Sequence, residues 1–121
     1  MPAAQYDFTV EQGTTVLKKF VWKDSVGAPV DLTGYTARMH LRRKREDAEP
    51  TLALTTENDR IALGGLAGTI EVTFEATDTV NMTDKRFVYD LELVRPQPGR
   101  PDFVKRLVQG RVSLSLEVTR D

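Results

Sequence analysis

The sequence predicts an all-β domain built from two packed antiparallel sheets. Apolar and polar residues alternate with a period of two along four segments, which is the pattern of strands with one buried and one solvated face. The apolar positions of these segments are Ala37, Met39 and Leu41; Ile70, Val72 and Phe74; Tyr89, Leu91 and Leu93; and Val112, Leu114, Leu116 and Val118. Turn-forming residues recur about every 8–12 residues, a spacing typical of a sandwich or a barrel.

Weaker strand signals fill the intervals between these segments. We expect further strands at residues 6–10, 52–55, 61–63 and 103–108. Residues 14–22 are apolar on both faces, which indicates a strand that is central or covered. The predicted core consists of Trp22, Met39, Leu41, Ile70, Val72, Phe74, Tyr89, Leu91, Leu114 and Leu116.

Three loops and one short helix separate the predicted strands. The loops are residues 23–29, 64–68 and 95–101, and the last holds three prolines, which cannot donate to a β-ladder. Residues 76–83 predict a short helical crossover with Thr77 as its N-cap. Tyr89 has two interpretations: an ordinary core tyrosine, or a tyrosine that bonds back to the preceding corner as in immunoglobulin-like sandwiches.

Length and composition limit the classes of protein that the chain can represent. Its 121 residues predict one domain, 1–121, with residues 1–5 as an extended N-terminal arm. The absence of cysteine excludes disulfides and thiolate metal sites. With 17 basic and 18 acidic side chains, the chain lacks the basic excess of a dedicated nucleic-acid binder. We see neither a signal peptide nor an apolar run long enough to span a membrane.

The residues carry no pattern that we recognise as catalytic. His40 is the only histidine, and it falls on the polar face of its strand without a nucleophile or an orienting acid nearby in sequence. Glu57 and Asp59 lack the spacing of a calcium loop and are interpreted as part of a turn. We therefore expect a protein that is not an enzyme and has no cofactor and no metal.

One charged run stands out. It consists of Arg42, Arg43, Lys44 and Arg45, followed by Glu46, Asp47 and Glu49. Three interpretations remain open: a contact for phosphate or nucleic acid, a solvated loop tip, or a bipolar tip that pairs with the charges of a neighbouring subunit.

Several residue strings, taken in order, resemble a pattern in small virion proteins of tailed bacteriophages. The strings are Trp22-Lys23-Asp24, Val30-Asp31-Leu32-Thr33-Gly34, Gly68-Thr69-Ile70-Glu71-Val72, Val88-Tyr89-Asp90-Leu91-Glu92-Leu93 and Val108-Gln109-Gly110-Arg111-Val112. The similarity spans about residues 6–120 and extends to the immunoglobulin-like N-terminal domain of phage baseplate upper proteins. The resemblance implies an immunoglobulin-like sandwich and a structural part of a virion, and it implies no catalytic residues.

From this resemblance we expect an adaptor that joins tail, fibre or baseplate components by protein–protein contacts. The alternatives are a capsid decoration or head–tail minor protein and, in another class, a carbohydrate- or ligand-binding module. The expected partners are other virion proteins, in a homo-oligomer or symmetric ring within a virion, with no nucleic acid and no membrane. The candidate contact residues are Gln5 in the arm, Arg42, Arg43, Lys44, Arg45, Glu46 and Asp47 in the charged tip, and Arg95 and Arg100 in the proline-rich loop.

Overall fold

The computed structural model describes residues 3–119 and confirms an all-β sandwich of immunoglobulin-like architecture. The strands are β1 (Ala4–Gln5), β2 (Phe8–Glu11), β3 (Val16–Val21), β4 (Thr36–Arg42), β5 (Leu52–Thr55), β6 (Ile61–Leu63), β7 (Thr69–Phe74), β8 (Arg86–Gln97) and β9 (Arg100–Ser115). A 3₁₀ turn covers Gly65–Ala67 and a short helix, α1, covers Ala76–Thr79. The large sheet has the order β9-β8-β4-β5, with β1 and β2 both on β9, and the small sheet has the order β3-β7-β6.

The core lies between the inner faces of the two sheets, where the alternating apolar residues meet. Eight of the ten predicted core residues are buried; of the other two, Trp22 is only half-buried and Leu116 is 44% exposed. The prediction for Leu116 is wrong because β9 ends at Ser115. No ladder holds residues 116–119 against the core.

The N-terminal segment departs from the predicted antiparallel arrangement. Both β1 and β2 pair parallel with β9, with Ala4 opposite Val108 and Phe8 opposite Val112. Residues 4 and 5 of the predicted free arm are therefore part of the large sheet, and residues 1–2 lie outside the described residues. The sequence could not reveal a parallel partner at this edge, because apolar and polar residues alternate in the same way in parallel and antiparallel strands.

Tyr6 and Asp7 interrupt the N-terminal strand, and two hydrogen bonds donated by the large sheet hold this interruption in place. The hydroxyl of Tyr89 donates a 2.6 Å hydrogen bond to the Tyr6 carbonyl. The Arg111 N–H donates to Asp7 Oδ1 at 2.9 Å. Burial raises the pKa of the Tyr89 hydroxyl above its usual value, which keeps this donor protonated. Tyr89 thus bonds to the segment between β1 and β2 and not to the corner before its own strand.

Strand β3 is an edge strand, which corrects the expectation of a central or covered position. It pairs only with β7, so one of its backbone edges has no strand partner among the described residues. Its inward residues Val16 and Phe20 pack against the core, whereas Leu17 is 63% exposed and Val21 is 45% exposed. The second apolar face of this segment therefore meets solvent.

The predicted loop at residues 95–101 is instead the end of a long β8–β9 hairpin. Both Pro96 and Pro101 lie inside strands, and neither has a register partner among the described residues. The ladder shifts register between Arg95 and Gln97, and β4 no longer pairs with β8 beyond Val94. Proline is tolerated at such bulges and edges because no ladder bond depends on its missing N–H. Gly99, with φ 72°, forms the turn.

The helix α1 is shorter than the predicted crossover at 76–83, and its N-cap is Glu75 instead of Thr77. The Glu75 N–H donates to Asp78 Oδ2 at 2.8 Å, while the Asp78 N–H donates to the Glu75 side chain. These reciprocal bonds form a capping box that satisfies the backbone amides of Glu75 and Asp78. Asp78 also accepts two bonds from the Arg60 guanidinium, at 2.8 and 3.0 Å, which tie the helix to the start of β6.

We expect the Arg60–Asp78 pair to make stability depend on pH in acid. The hydrogen bond from Arg60 holds the pKa of Asp78 below its usual value. The carboxylate therefore stabilises the fold above its unfolded-state pKa, and this contribution is lost as the pH falls through the lower folded-state pKa. Asp78→Asn should lower the free energy of unfolding in urea at neutral pH, and the deficit should shrink below about pH 4. Glu71→Gln, on the exposed face of β7, is the control and should show no such trend. A deficit that stays constant from neutral pH to acid would contradict this assignment.

Candidate interaction surfaces

The candidate contact residues fall on two separate regions of the large sheet. Arg42 ends β4 opposite Val88, whereas Arg95 follows Val94, which lies opposite Thr36 at the other end of the same strand. Thr36 and Arg42 are six residues apart along β4, which at about 3.3 Å per residue is a distance of about 20 Å. The charged tip and the end of the β8–β9 hairpin therefore cannot form one continuous site.

Asp47 is the residue around which the charged tip is ordered, through contacts with Arg42, Arg43 and Lys44. Arg42 Nε donates to the Asp47 carbonyl at 3.1 Å, and the Lys44 N–H donates to Asp47 Oδ2 at 3.4 Å. Arg43 lies 3.5 Å from Asp47 and 3.9 Å from Asp84. Arg45 differs from these residues, because it makes no hydrogen bond or ion pair with any residue from 3 to 119.

A groove lies beside this tip on the outer face of the large sheet, and we call it the charged groove. It has a volume of about 250 Å³ and is lined chiefly by His40, Arg42, Arg45, Asp90, Arg106 and Gln109. Alternation explains this convergence: His40 on β4, Asp90 on β8 and Gln109 on β9 are cross-strand neighbours that all point outward. Gln5 lies beside Gln109 in the register of β1 and β9, and its side chain donates to Asp7.

His40 forms the floor of the charged groove as a neutral ring. Arg42 Nη1 lies 3.2 Å from His40 Nδ1, and because a guanidinium can only donate, Nδ1 is the acceptor and the ring proton is on Nε2. Burial and the neighbouring Arg42 charge lower the pKa of His40. No serine, threonine or cysteine lines the described groove beside this ring, so His40 has no nucleophile to activate there.

Carboxylates of β8 neutralise part of the positive charge on this face. Arg106 lies 3.4 Å from Asp90 and 4.0 Å from Glu92, and Arg38 lies 2.9 Å from Glu92. Within residues 3–119, no group of three or more histidine, aspartate or glutamate side chains is placed to hold a metal ion. The outer face is therefore a mosaic of ion pairs in which arginine outnumbers carboxylate.

The second surface lies at the hairpin end and is built from three aromatic rings in edge-on contact and one arginine. We define the hairpin patch as Trp22, Tyr35, Arg95 and Phe103. The Tyr35 ring meets Trp22 and Phe103 edge-on, at 5.7 and 6.5 Å between ring centroids. The Arg95 guanidinium carbon lies 5.4 Å from the Tyr35 centroid and 5.3 Å from the Phe103 centroid. Cation–π contact thus fixes Arg95 between two rings.

Arg95 was identified from the sequence as a candidate contact residue but was not grouped with these rings. Arg95 and Phe103 are directly opposite in the hairpin register, and Tyr35 immediately precedes β4, which pairs with β8. The signal that could have linked Arg95 to these rings in the sequence was the pairing of residues across the β8–β9 hairpin. That signal was lost when residues 95–101 were interpreted as a loop.

Comparisons with known proteins give no family. No family model and no curated protein matches the chain. Among solved structures, a chain from work on multimeric cell-adhesive interactions of VGSC beta subunits matches at 10% identity and a TM-score of 0.39. The match covers 95% of this chain and 93% of that chain. Similarity at this level carries no argument about function. No helix among residues 3–119 has the length and apolar character needed to cross a membrane.

Proposed function

We propose that this chain is a structural β-sandwich of a tailed-bacteriophage virion, an adaptor that joins tail, fibre or baseplate components by protein–protein contacts. The observation that carries the proposal is the hairpin patch, which offers a ready-made contact surface. The ordered resemblance of its sequence strings to phage virion proteins supports the virion context. The proposal gives the protein no catalytic step, in keeping with a groove whose only histidine lacks a nucleophile.

The hairpin patch has the composition and rigidity of a protein-binding centre. Tryptophan, tyrosine and arginine dominate the residues that carry most of the energy of protein interfaces. Phe103 is 37% exposed, so a partner can bury ring surface there. Because Arg95 is already held between Tyr35 and Phe103, binding would immobilise few additional rotamers.

The charges around the hairpin indicate the kind of partner surface that would fit. Residues 95–105 carry three basic side chains against one acidic side chain, Asp102. A partner with an apolar centre and a rim of carboxylates would complement this distribution and associate faster at low salt.

The same patch is less suited to sugar stacking, which bears on the ligand-binding alternative. Sugars stack on an open aromatic face, but Arg95 already lies over one face each of Tyr35 and Phe103. A capsid decoration or head–tail role would use the same kind of contact with a different neighbour, and the composition of the particle decides between them.

We expect Phe103→Glu to abolish incorporation of the protein into virus particles while leaving its fold intact. The change places a carboxylate on an exposed ring position, where it removes apolar contact area and opposes an acidic partner. Incorporation is measured by quantitative mass spectrometry of purified particles made with the tagged variant. Leu17→Glu on β3 is the matched control, since Leu17 is also an exposed apolar residue but lies on the small sheet.

The virion function and the use of the hairpin patch as the contact surface can be tested separately. If the wild-type protein is absent from purified particles, the virion function is wrong. If the wild type is present and Phe103→Glu is incorporated as well as Leu17→Glu, the function stands but the hairpin patch is not the contact surface.

A further inference from the structure

The charged groove contains more hydrogen-bond donors than the protein itself uses. Arg42, Arg45 and Arg106 bring three positive charges to its lining, and Asp90 brings one negative charge. His40 presents its Nε2–H as a further neutral donor, because Nδ1 accepts from Arg42. The groove therefore has a net charge of about +2 and a large excess of donors over acceptors.

Much of this donor capacity remains available. Arg42 commits Nε to the Asp47 carbonyl and Nη1 to His40, which leaves Nη2. Arg106 directs Nε towards Asp90 and Glu92, at 3.4 and 4.0 Å, which leaves its two terminal nitrogens, and Arg45 has no partner among residues 3–119. The guanidinium groups of Arg42 and Arg106 are also oriented before a ligand arrives, because both are strand residues held by their contacts. A ligand that carries several acceptor oxygens would satisfy them together.

We propose that the charged groove binds a doubly charged tetrahedral oxyanion, a phosphate or phosphate monoester. The net charge of the lining matches a dianion. The donors approach from different elements: Arg45 from the β4–β5 tip, His40 from the floor and Arg106 from β9. Donors that converge from several directions suit a tetrahedral group better than a planar carboxylate, which takes its best bonds in one plane. This inference is independent of the adaptor proposal, which rests on the opposite end of the sheet.

Titration of the full chain with inorganic phosphate, with a phosphate monoester and with acetate tests the proposal. The titrations use constant ionic strength at about pH 8, where a phosphate monoester is dianionic because its second pKa is near 6. The readout is the set of backbone amide chemical shifts in ¹⁵N NMR spectra. We expect saturable shifts centred on His40, Arg45 and Gln109 with at least one phosphate ligand, and no saturation with acetate.

Three variants separate a specific site from general surface charge. Arg45→Gln should weaken binding about tenfold, the expected effect of losing one charge-assisted contact. Arg100→Gln makes the same charge change at the hairpin end and should leave the affinity unchanged. Asp90→Asn should tighten binding, because it removes the carboxylate that competes for Arg106. The amide spectrum of each unliganded variant reports its fold.

Each outcome of the titrations either identifies the kind of phosphate that binds or contradicts the proposed binding site. Saturation by both phosphate ligands shows that the terminal phosphate group is sufficient, and saturation by the monoester alone assigns the groove to an esterified phosphate. Shifts that grow linearly without saturating, equal weakening by Arg45→Gln and Arg100→Gln, or acetate binding as tightly as phosphate would each overturn the proposal.

Discussion

Leu91→Ala will lower the free energy of unfolding by about 2–5 kcal/mol, the usual cost of a cavity at a core leucine. Leu91 is fully buried near the middle of β8, between Met39 of β4 and Val108 of β9 in the cross-strand register. Strands on both sides fix the backbone there, so the surroundings can relax little into the space that the leucine leaves.

Urea denaturation of Leu91→Ala beside Leu116→Ala measures this effect against a matched control. Leu116 lies after the end of β9 and is 44% exposed, so its truncation should change the free energy of unfolding by less than about 0.5 kcal/mol. Equal losses in the two variants would show that the assigned phase of the strands is wrong.

A second large effect is expected at Gly110 of β9, which closely approaches the segment between β1 and β2. A Cβ on residue 110 would collide with the Tyr6 carbonyl oxygen and lie 2.8 Å from the Tyr6 carbonyl carbon, and both are backbone atoms. Gly110→Ala must therefore push the N-terminal strand away and break the hydrogen bond from Tyr89. We expect a loss of about 2–4 kcal/mol from overpacking together with a lost hydrogen bond.

Gly27→Ala provides the control for the glycine substitution itself. Gly27 has φ 87° and open space around its hydrogen, so alanine there should cost only about 1 kcal/mol of backbone strain. Hydrogen exchange should also show residues 4–9 losing protection in Gly110→Ala but not in Gly27→Ala. If the two variants lose equal stability, the close approach to Tyr6 does not constrain the fold.

The sequence predicted the strands in which alternation is strong, and the reason is physical. A half-buried strand must alternate to keep one face dry, so the alternation by itself places Met39, Ile70 and Leu91 in the core. The position of a strand at a sheet edge and the direction in which it pairs do not change this alternation, so the sequence does not reveal them. Leu17 on β3 is apolar although exposed, and the parallel pairing of Phe8 with Val112 uses the same alternation as an antiparallel pair.

The grouping of residues into the candidate surfaces could not be predicted, because it depends on which residues pair across neighbouring strands. Arg42 and Arg45 were recognised from their charge, but their grouping with Arg106 and Gln109 requires knowledge of which strands are neighbours. Pro96 and Pro101 suggested a loop, since proline usually excludes a ladder; here a bulge and a free edge remove that conflict.

The pairing of β2 with the end of β9 also determines when the fold can be completed during synthesis. Residues 8–11 must wait for residues 112–115 to emerge from the ribosome, about 100 residues later, or about 5–20 seconds at usual translation speeds. The β8–β9 hairpin can close locally within microseconds of its own emergence, because its strands are adjacent in sequence. The nascent chain therefore holds β2 unpaired until almost the last residue of β9 has been added, and only then is the large sheet complete at that edge.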